Sequence, residues 1–506
     1  MGRRRQRRRG GDEQAQAAVI EKIAQPVHGL PLYNLLDEDG VQLIHQKSME
    51  VLAEVGIAFM DDPEAVGILQ EHGVDVRDET AYFDEATVME YVNKAPSQFT
   101  QIARNPANNV IVGGNHMIFA PVYGPPFYWT AERGRREAKL ADFVDMVKLA
   151  YSSPYMTHSG GTIVEPTDEP THTRHLDMVY AHLKYSDKPF MGSVTSANNA
   201  ADSVAMAEIA LGADAIRENP AMISLINISS PRRMDDRMLG ALKVYARAKQ
   251  ATIIAPFIVS GAMSPASVAG TLIQANAEAL AGIAFAQMVQ PGTPVIYGTF
   301  QTTIDMKSGA PILGAPESQQ TLLLSAQMAR HYGLPFRSGG SLASSKIPDA
   351  QAAYESANML QGTVAGRVNF VLHSAGWLEG GLAASPEKFL MDCEMLGMMH
   401  TLMKPVDISD EAQAMDSLRT VEPGGHHLGT EHTMRNMRTA FYQAELFDYN
   451  SAEQWEAEGK KDAVARAHEK YKNILKAYEP PALDPAVDDA LTEFIAKRKT
   501  EIEPEF

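Results

Sequence analysis

Eight short apolar runs, each rich in β-branched or aromatic residues, lie at 117–123, 155–164, 189–195, 221–230, 252–261, 294–302, 335–341 and 369–378 of this 506-residue chain. A helix-length segment separates each run from the next. Such alternation predicts βα units around a parallel sheet. Eight strands are the number that closes such a sheet without edges. The predicted fold class is therefore α/β, a (β/α)8 TIM barrel with a helical N-terminal region and a helical C-terminal extension. Several runs end in small or polar residues, such as Ser159-Gly160-Gly161, Ser229-Ser230, Gly298-Thr299 and Ser338-Gly339-Gly340. Glycine there lets a ligand approach the backbone, and the C-terminal rim is where barrel enzymes place their chemistry. Tight turns alone would also use these glycines.

The predicted boundaries are 1–29 for a disordered basic arm and linker, 30–110 for a mostly helical region, 111–405 for the barrel, and 406–506 for helices packed on it. Arg3, Arg4, Arg5, Arg7, Arg8 and Arg9 form the arm. An export signal needs an apolar stretch after its arginines, and Asp12 and Glu13 follow instead.

Forty-five Lys and Arg against 63 Asp and Glu give a formal charge of -18, which argues against a nucleic-acid partner because phosphate contacts need a basic surface. Cys393 is the sole cysteine, so neither an internal disulfide nor a thiolate zinc cluster can form. Without an apolar run of 18 residues, no membrane span is expected and the chain reads as cytoplasmic. No glycine-rich turn has dinucleotide, S-adenosylmethionine or Walker spacing, so neither SAM nor a nucleotide is expected. His426, His427, Glu431 and His432 could in principle hold a metal, but adjacent histidines usually point different ways, and no bound metal is expected.

Arg337 and His373 fall on neighbouring predicted strands near the rim. An arginine fork with a second donor suits a ligand carboxylate, each charge-assisted bond contributing roughly 1.5–3 kcal/mol. The alternative is an arginine paired to a structural acid beside a core histidine. Aromatic residues gather near predicted strand ends at Tyr123, Phe127, Tyr128, Trp129, Phe300, Tyr354 and Trp377. A quaternary ammonium cannot donate a strong hydrogen bond and is recognised by aromatic faces, at about 0.5–2 kcal/mol per ring. Each ring alone is equally compatible with core packing. The candidate binding set is Arg337, His373, Tyr123, Phe300, Tyr354 and Trp377.

Two blocks resemble the trimethylamine methyltransferase superfamily. One is Pro335-Phe336-Arg337-Ser338-Gly339-Gly340 with Ser345-Lys346, Asp349, Gln351 and Leu378-Glu379-Gly380. The other is Gly424-Gly425-His426-His427-Leu428-Gly429 with Glu431-His432-Thr433, Arg438, Trp455 and Asp462-Ala463-Val464. The resemblance spans about residues 30–475. It implies a barrel enzyme that passes a methyl group to the cob(I)amide of a corrinoid (cobalamin) carried by a separate protein. Archaeal members carry pyrrolysine in the barrel, whereas this chain has only standard residues, which implies the branch that demethylates quaternary amines such as glycine betaine. In that branch the residues matching Arg337 and His373 hold the substrate carboxylate.

Such chemistry needs no acid or base, because a quaternary ammonium leaves as a neutral amine; the protein's task is positioning. The Asp-x-His-x-x-Gly pattern of many cobalamin domains is missing, so the corrinoid is expected on a partner docking at the barrel mouth. A homo-oligomer is expected. Proline betaine, carnitine, γ-butyrobetaine or trimethylamine remain alternative substrates. A betaine-binding barrel without turnover, or an unrelated barrel hydrolase or lyase, remain alternative classes.

Overall fold

A computed structural model describes residues 23–503, so the arginine run lies outside the described residues. Its centre is mixed α/β. A nine-stranded sheet contains β1 (Ile118–Phe119), β2 (Phe190–Met191), β3 (Met222–Ile228), β4 (Ala251–Ser260), β5 (Val295–Gly298), β6 (Phe300–Ile304), β7 (Phe336–Gly339) and β8 (Phe370–Leu372). The ninth strand, Pro311–Ile312, adds antiparallel to β6. The other pairings are parallel and run β2, β3, β4, then β5 and β6, and from β5 through β7 and β8 to β1. Eight helices follow the predicted runs: α1 (Leu140–Ser152), α2 (Arg174–Tyr185), α3 (Ala197–Leu211), α4 (Asp236–Arg247), α5 (Val268–Val289), α6 (Pro316–His331), α7 (Ala350–Gly366) and α8 (Pro386–Met403).

Seven of the eight predicted runs contain strand, and the eighth is corrected. Residues 155–164 form no strand, because side chains compete for the backbone there. His158 Nδ1 takes the Gly160 N–H at 2.9 Å, Ser159 Oγ meets His182 Nδ1 at 2.7 Å, and His182 Nε2 meets the Gly161 carbonyl at 2.7 Å. The segment still touches both neighbours through its main chain. His158 N donates to Phe119 O of β1, Ser159 N to Pro189 O, and Met191 N of β2 to Gly160 O.

The strand residues divide between two separate apolar cores. Ile223 and Leu225 of β3, Ala251, Ile253 and Ala255 of β4, Ile296 of β5 and Phe370 and Leu372 of β8 belong to the smaller, inner one. Their outward neighbours, such as Ile226, Ile254 and Tyr297, join the larger core beneath the helices. Because side chains alternate along a strand, the inner set fixes which later residues face inward. At the N-terminal end of the strands the hairpin Gln98–Gln101 with Val110–Gly113 supplies Val110 and Val112 to the inner core. Gln101 ties it down by donating to the carbonyls of Phe190 and Ala221.

The N-terminal region is not purely helical. Helices Glu38–Glu50, Pro63–Glu71 and Glu85–Val92 share it with strands Ile57–Phe59, Asp75–Arg77 and Thr80–Tyr82, which pair with one another and with Arg233–Met234. Helix α5 is long and apolar enough, by length and composition alone, to cross a membrane, a property the sequence reading missed. Most of it is buried inside the fold, as befits a core helix. Of the C-terminal extension, Ala463–Ala477 packs on α8 and α1, and Pro485–Glu501 on α3 and α2. Residues 404–450, which hold His426, His427 and His432, are largely exposed.

Candidate active site

Continuing the inward phase of β3 and β4 by one step reaches Asn227 and Phe257. They are the exposed residues in the otherwise buried run of each strand, so they face open space at the C-terminal end rather than solvent outside the helices. Phe300 of β6 stands opposite Phe257 in register, and the two rings stack with centroids 5.3 Å apart. Arg337 pairs in register with inward-facing Phe370 on the parallel neighbour, which turns the guanidinium inward too. Above the inner core therefore lies a layer of Asn227, Phe257, Phe300 and Arg337.

Arg337 is 1% exposed and pairs with no acid among the described residues. Its Nη1 donates to Thr299 O at 3.1 Å, and its Nη2 lies 3.1 Å from His373 Nε2. Burial pushes the guanidinium down to about 9, with the Tyr123 phenol acting weakly in the other direction. Burial, and then the Arg337 charge, push His373 well below the usual imidazole range, so it is neutral.

A neutral imidazole offers a single lone pair. Two obligate donors nevertheless address His373: Arg337 at Nε2, and the Tyr123 backbone N–H at Nδ1 from 3.2 Å. If Nδ1 accepts from Tyr123, Nε2 carries a proton facing the arginine; the other tautomer moves the mismatch to Tyr123. An anionic acceptor between the guanidinium and Nε2–H removes the conflict and uses both donors. Arg337 Nε and Trp377 Nε1 are further buried donors without a partner among the described residues. This donor set fits a carboxylate.

Aromatic rings enclose the same place. Trp377 meets His373 edge-on with centroids 4.3 Å apart and Phe300 at 5.9 Å, while Phe300 lies 5.6 Å from His373. The Trp377 position depends on Gly381, whose φ is +94° and whose added Cβ would fall 2.4 Å from the indole. Tyr123 joins from the β1 side through its backbone N–H, which donates to His373 Nδ1, while its ring packs against Gly161 and lines the neighbouring cavity.

The structure thus brings together Arg337, His373, Tyr123, Phe300 and Trp377. Tyr354 is corrected: it is 78% exposed on α7 and belongs to no part of this cluster. Phe127, Tyr128 and Trp129 lie on a separate small sheet, where Arg135 covers Phe127 and Arg136 covers Tyr128. Asn227 and Phe257 escaped the sequence reading, although the alternation through 223, 225, 227 and 253, 255, 257 carried the signal.

Beyond Tyr123 a cavity of about 440 Å³ opens at the ends of β2 and β3. Neutral hydrogen-bonding groups line much of it, among them Thr162, Ser193, Thr195, Asn198 and Asn227, with the Glu165–Arg174 ion pair at 2.5 Å on one wall.

A mostly parallel α/β sheet carries an arginine, a neutral histidine and stacked aromatic rings at its C-terminal end, a donor set that fits a small ligand bearing an acid group. The chain belongs to the trimethylamine methyltransferase family, whose model matches residues 3–503. It is 46% identical over 474 residues to the glycine betaine methyltransferase of Desulfitobacterium hafniense strain Y51, covering 94% of this chain and 98% of the relative. It is 31% identical to the proline betaine:corrinoid methyltransferase of Eubacterium limosum, over 81% and 86% of the two chains. A trimethylamine methyltransferase of Desulfitobacterium hafniense is 28% identical, over 96% and 97%.

Proposed function

We propose that this protein is a corrinoid-dependent methyltransferase that moves a methyl group from glycine betaine to the cob(I)amide of a separate corrinoid protein. Family membership and the relatives named for glycine betaine and proline betaine support the reaction class. The observation that carries the substrate assignment is the Arg337–His373 pair, two buried donors 3.1 Å apart that lack an acid between them, set beneath the Phe257–Phe300 stack. The carboxylate of a betaine accepts from Arg337 and His373. Its ammonium lies against the aromatic faces, which attract a cation without hydrogen bonding.

In the transfer, the cobalt(I) lone pair forms a bond to one methyl carbon, the C–N bond breaks, and its electrons stay on nitrogen, so that dimethylglycine leaves with a neutral amine and its carboxylate still anionic. No proton moves in that step. What the protein supplies is orientation. Attraction between rings and ammonium fades as the nitrogen loses charge, so the aromatic grip must stay modest for the transition state to be reached.

Two further parts belong to this reading. A (β/α)8 barrel is part of it, supported by the main-chain bonds of residues 158–160 to Phe119, Pro189 and Met191 and by the separate inner and outer cores. The corrinoid protein docks over the C-terminal end of the strands, where Asn227 and Phe257 open outward. The test mixes purified protein with cob(I)alamin and glycine betaine, with proline betaine, carnitine and trimethylamine in parallel. Methyl-cob(III)alamin absorbance with glycine betaine is the expected result. Silence with every quaternary amine would overturn the assignment, and faster turnover of another betaine would replace the substrate.

A further inference from the structure

The connection that carries His373 and Trp377 twice adopts backbone conformations rare for L residues, with φ +64° at His373 and +96° at Gly376. Most of its polar groups are pinned by main-chain or hydroxyl partners: Ser374 N to Ala120 O at 2.9 Å, Ser341 N to His373 O at 2.8 Å, and Ser341 Oγ to Ser374 O at 2.6 Å. Gly376 is different. Its N–H donates at 2.9 Å to Oδ2 of Asp392, a carboxylate only 4% exposed on α8. The other carboxylate oxygen takes a bond from Lys388 one turn earlier, and Lys388 also donates to Ser356 Oγ of α7 at 2.8 Å.

A buried ion pair gains little or nothing over well-packed apolar residues of the same size, so packing does not account for this one. A charged acceptor, however, holds an N–H about twice as firmly as a neutral one. That is what a bend with a left-handed histidine requires. We propose that Asp392 is a positioning residue for the carboxylate clamp: through Gly376 it holds His373 beside Arg337, with Lys388 bonded to its other oxygen. The proposal rests on the betaine reading of the site. It implies a selective defect, because a shifted His373 harms a ligand with a carboxylate and leaves one that has only an ammonium unaffected.

The experiment compares the wild type with Asp392→Asn, which keeps the shape and removes the charge. Calorimetry gives Kd for glycine betaine and for tetramethylammonium, and assays with cob(I)alamin give KM and kcat for the betaine. The expected result is a rise in Kd and KM for glycine betaine on the order of tenfold, the scale of one hydrogen bond to a charged group. Tetramethylammonium should change by less than about twofold, and kcat should move less than KM. Equal weakening of both ligands, or of neither, would overturn the role. Should Asp392→Asn fail to fold, Lys388→Met strips the counter-charge and carries the same selective expectation. A wild type that binds no betaine would instead sink the substrate reading.

Discussion

The two halves of the strand ends differ in how they treat water. On the side of β6, β7 and β8, Arg337, His373, Trp377 and Phe300 are all at least nine-tenths buried and touch one another. On the side of β2 and β3, a cavity of about 440 Å³ is lined by hydroxyls and amides together with Arg237 and the Glu165–Arg174 ion pair, and Thr195, Asn198 and Asn227 are exposed. A buried charge with no acid partner is costly and is kept only where something else compensates. Neutral polar groups open to water cost almost nothing. The dry half thus has the character of a site for one small charged ligand, and in the proposed function the wet half is the side left open to the second reactant.

The strongest way to break that contrast is Arg337→Ala. Glycine betaine should bind about 2–4 kcal/mol more weakly, because the carboxylate loses a charged donor. Tetramethylammonium should bind nearly as before, and calorimetry with both ligands decides. Equal losses would mean that the dry half grips the ammonium alone.

The charge on Arg337 also makes binding depend on pH. A ligand carboxylate favours the protonated guanidinium, so affinity is full below about 9 and declines as pH rises through that value. In a titration from neutral to strongly alkaline pH, Kd for glycine betaine should rise by about tenfold per unit once past it. Tetramethylammonium should stay flat over the same range.

Phe257→Ala tests the seam between the halves. The ring is 37% exposed, so folding should suffer little. Both ligands should lose about 0.5–2 kcal/mol, the worth of one cation–π contact. Unchanged tetramethylammonium binding would remove Phe257 from the ammonium's surroundings.

The smallest effects belong to the wet half and the outer surface. Asn198→Ala should leave glycine betaine affinity alone and raise KM for cob(I)alamin by the equivalent of about 0.5–1.5 kcal/mol, one net hydrogen bond. Tyr354→Ala should leave betaine affinity within about 0.5 kcal/mol of wild type, as for most exposed substitutions. A loss comparable to that of Phe257→Ala would restore Tyr354 to the site.

Arg337 and His373 were legible in the sequence because they fall on neighbouring runs, and the long arginine side chain spans the offset between its register partner Phe370 and His373. Tyr354 misled because nearness in sequence to a strand end was taken for nearness in space. Helical spacing points the other way: Ala352, Ser356, Met359, Leu360 and Thr363 form the buried stripe of α7, and Tyr354 falls off it. The run at 155–164 has the composition of a strand, but the hydrogen bonds of His158, Ser159 and His182 depend on a helix 20 or so residues away. Asp392 was invisible for a related reason. A Lys and an Asp four apart on a helix read as an exposed pair, and only the packing of α8 against the 373–377 connection buries them.

By itself the sequence determined most of the alternation of strand and helix and the presence of an arginine and a histidine on neighbouring runs, because these follow from local period and chain order. Only the tertiary structure decided which donors lack acceptors, which rings face each other and which carboxylate steadies the histidine. Those outcomes depend on distances of 3–6 Å between residues far apart in the chain, and no periodicity encodes them.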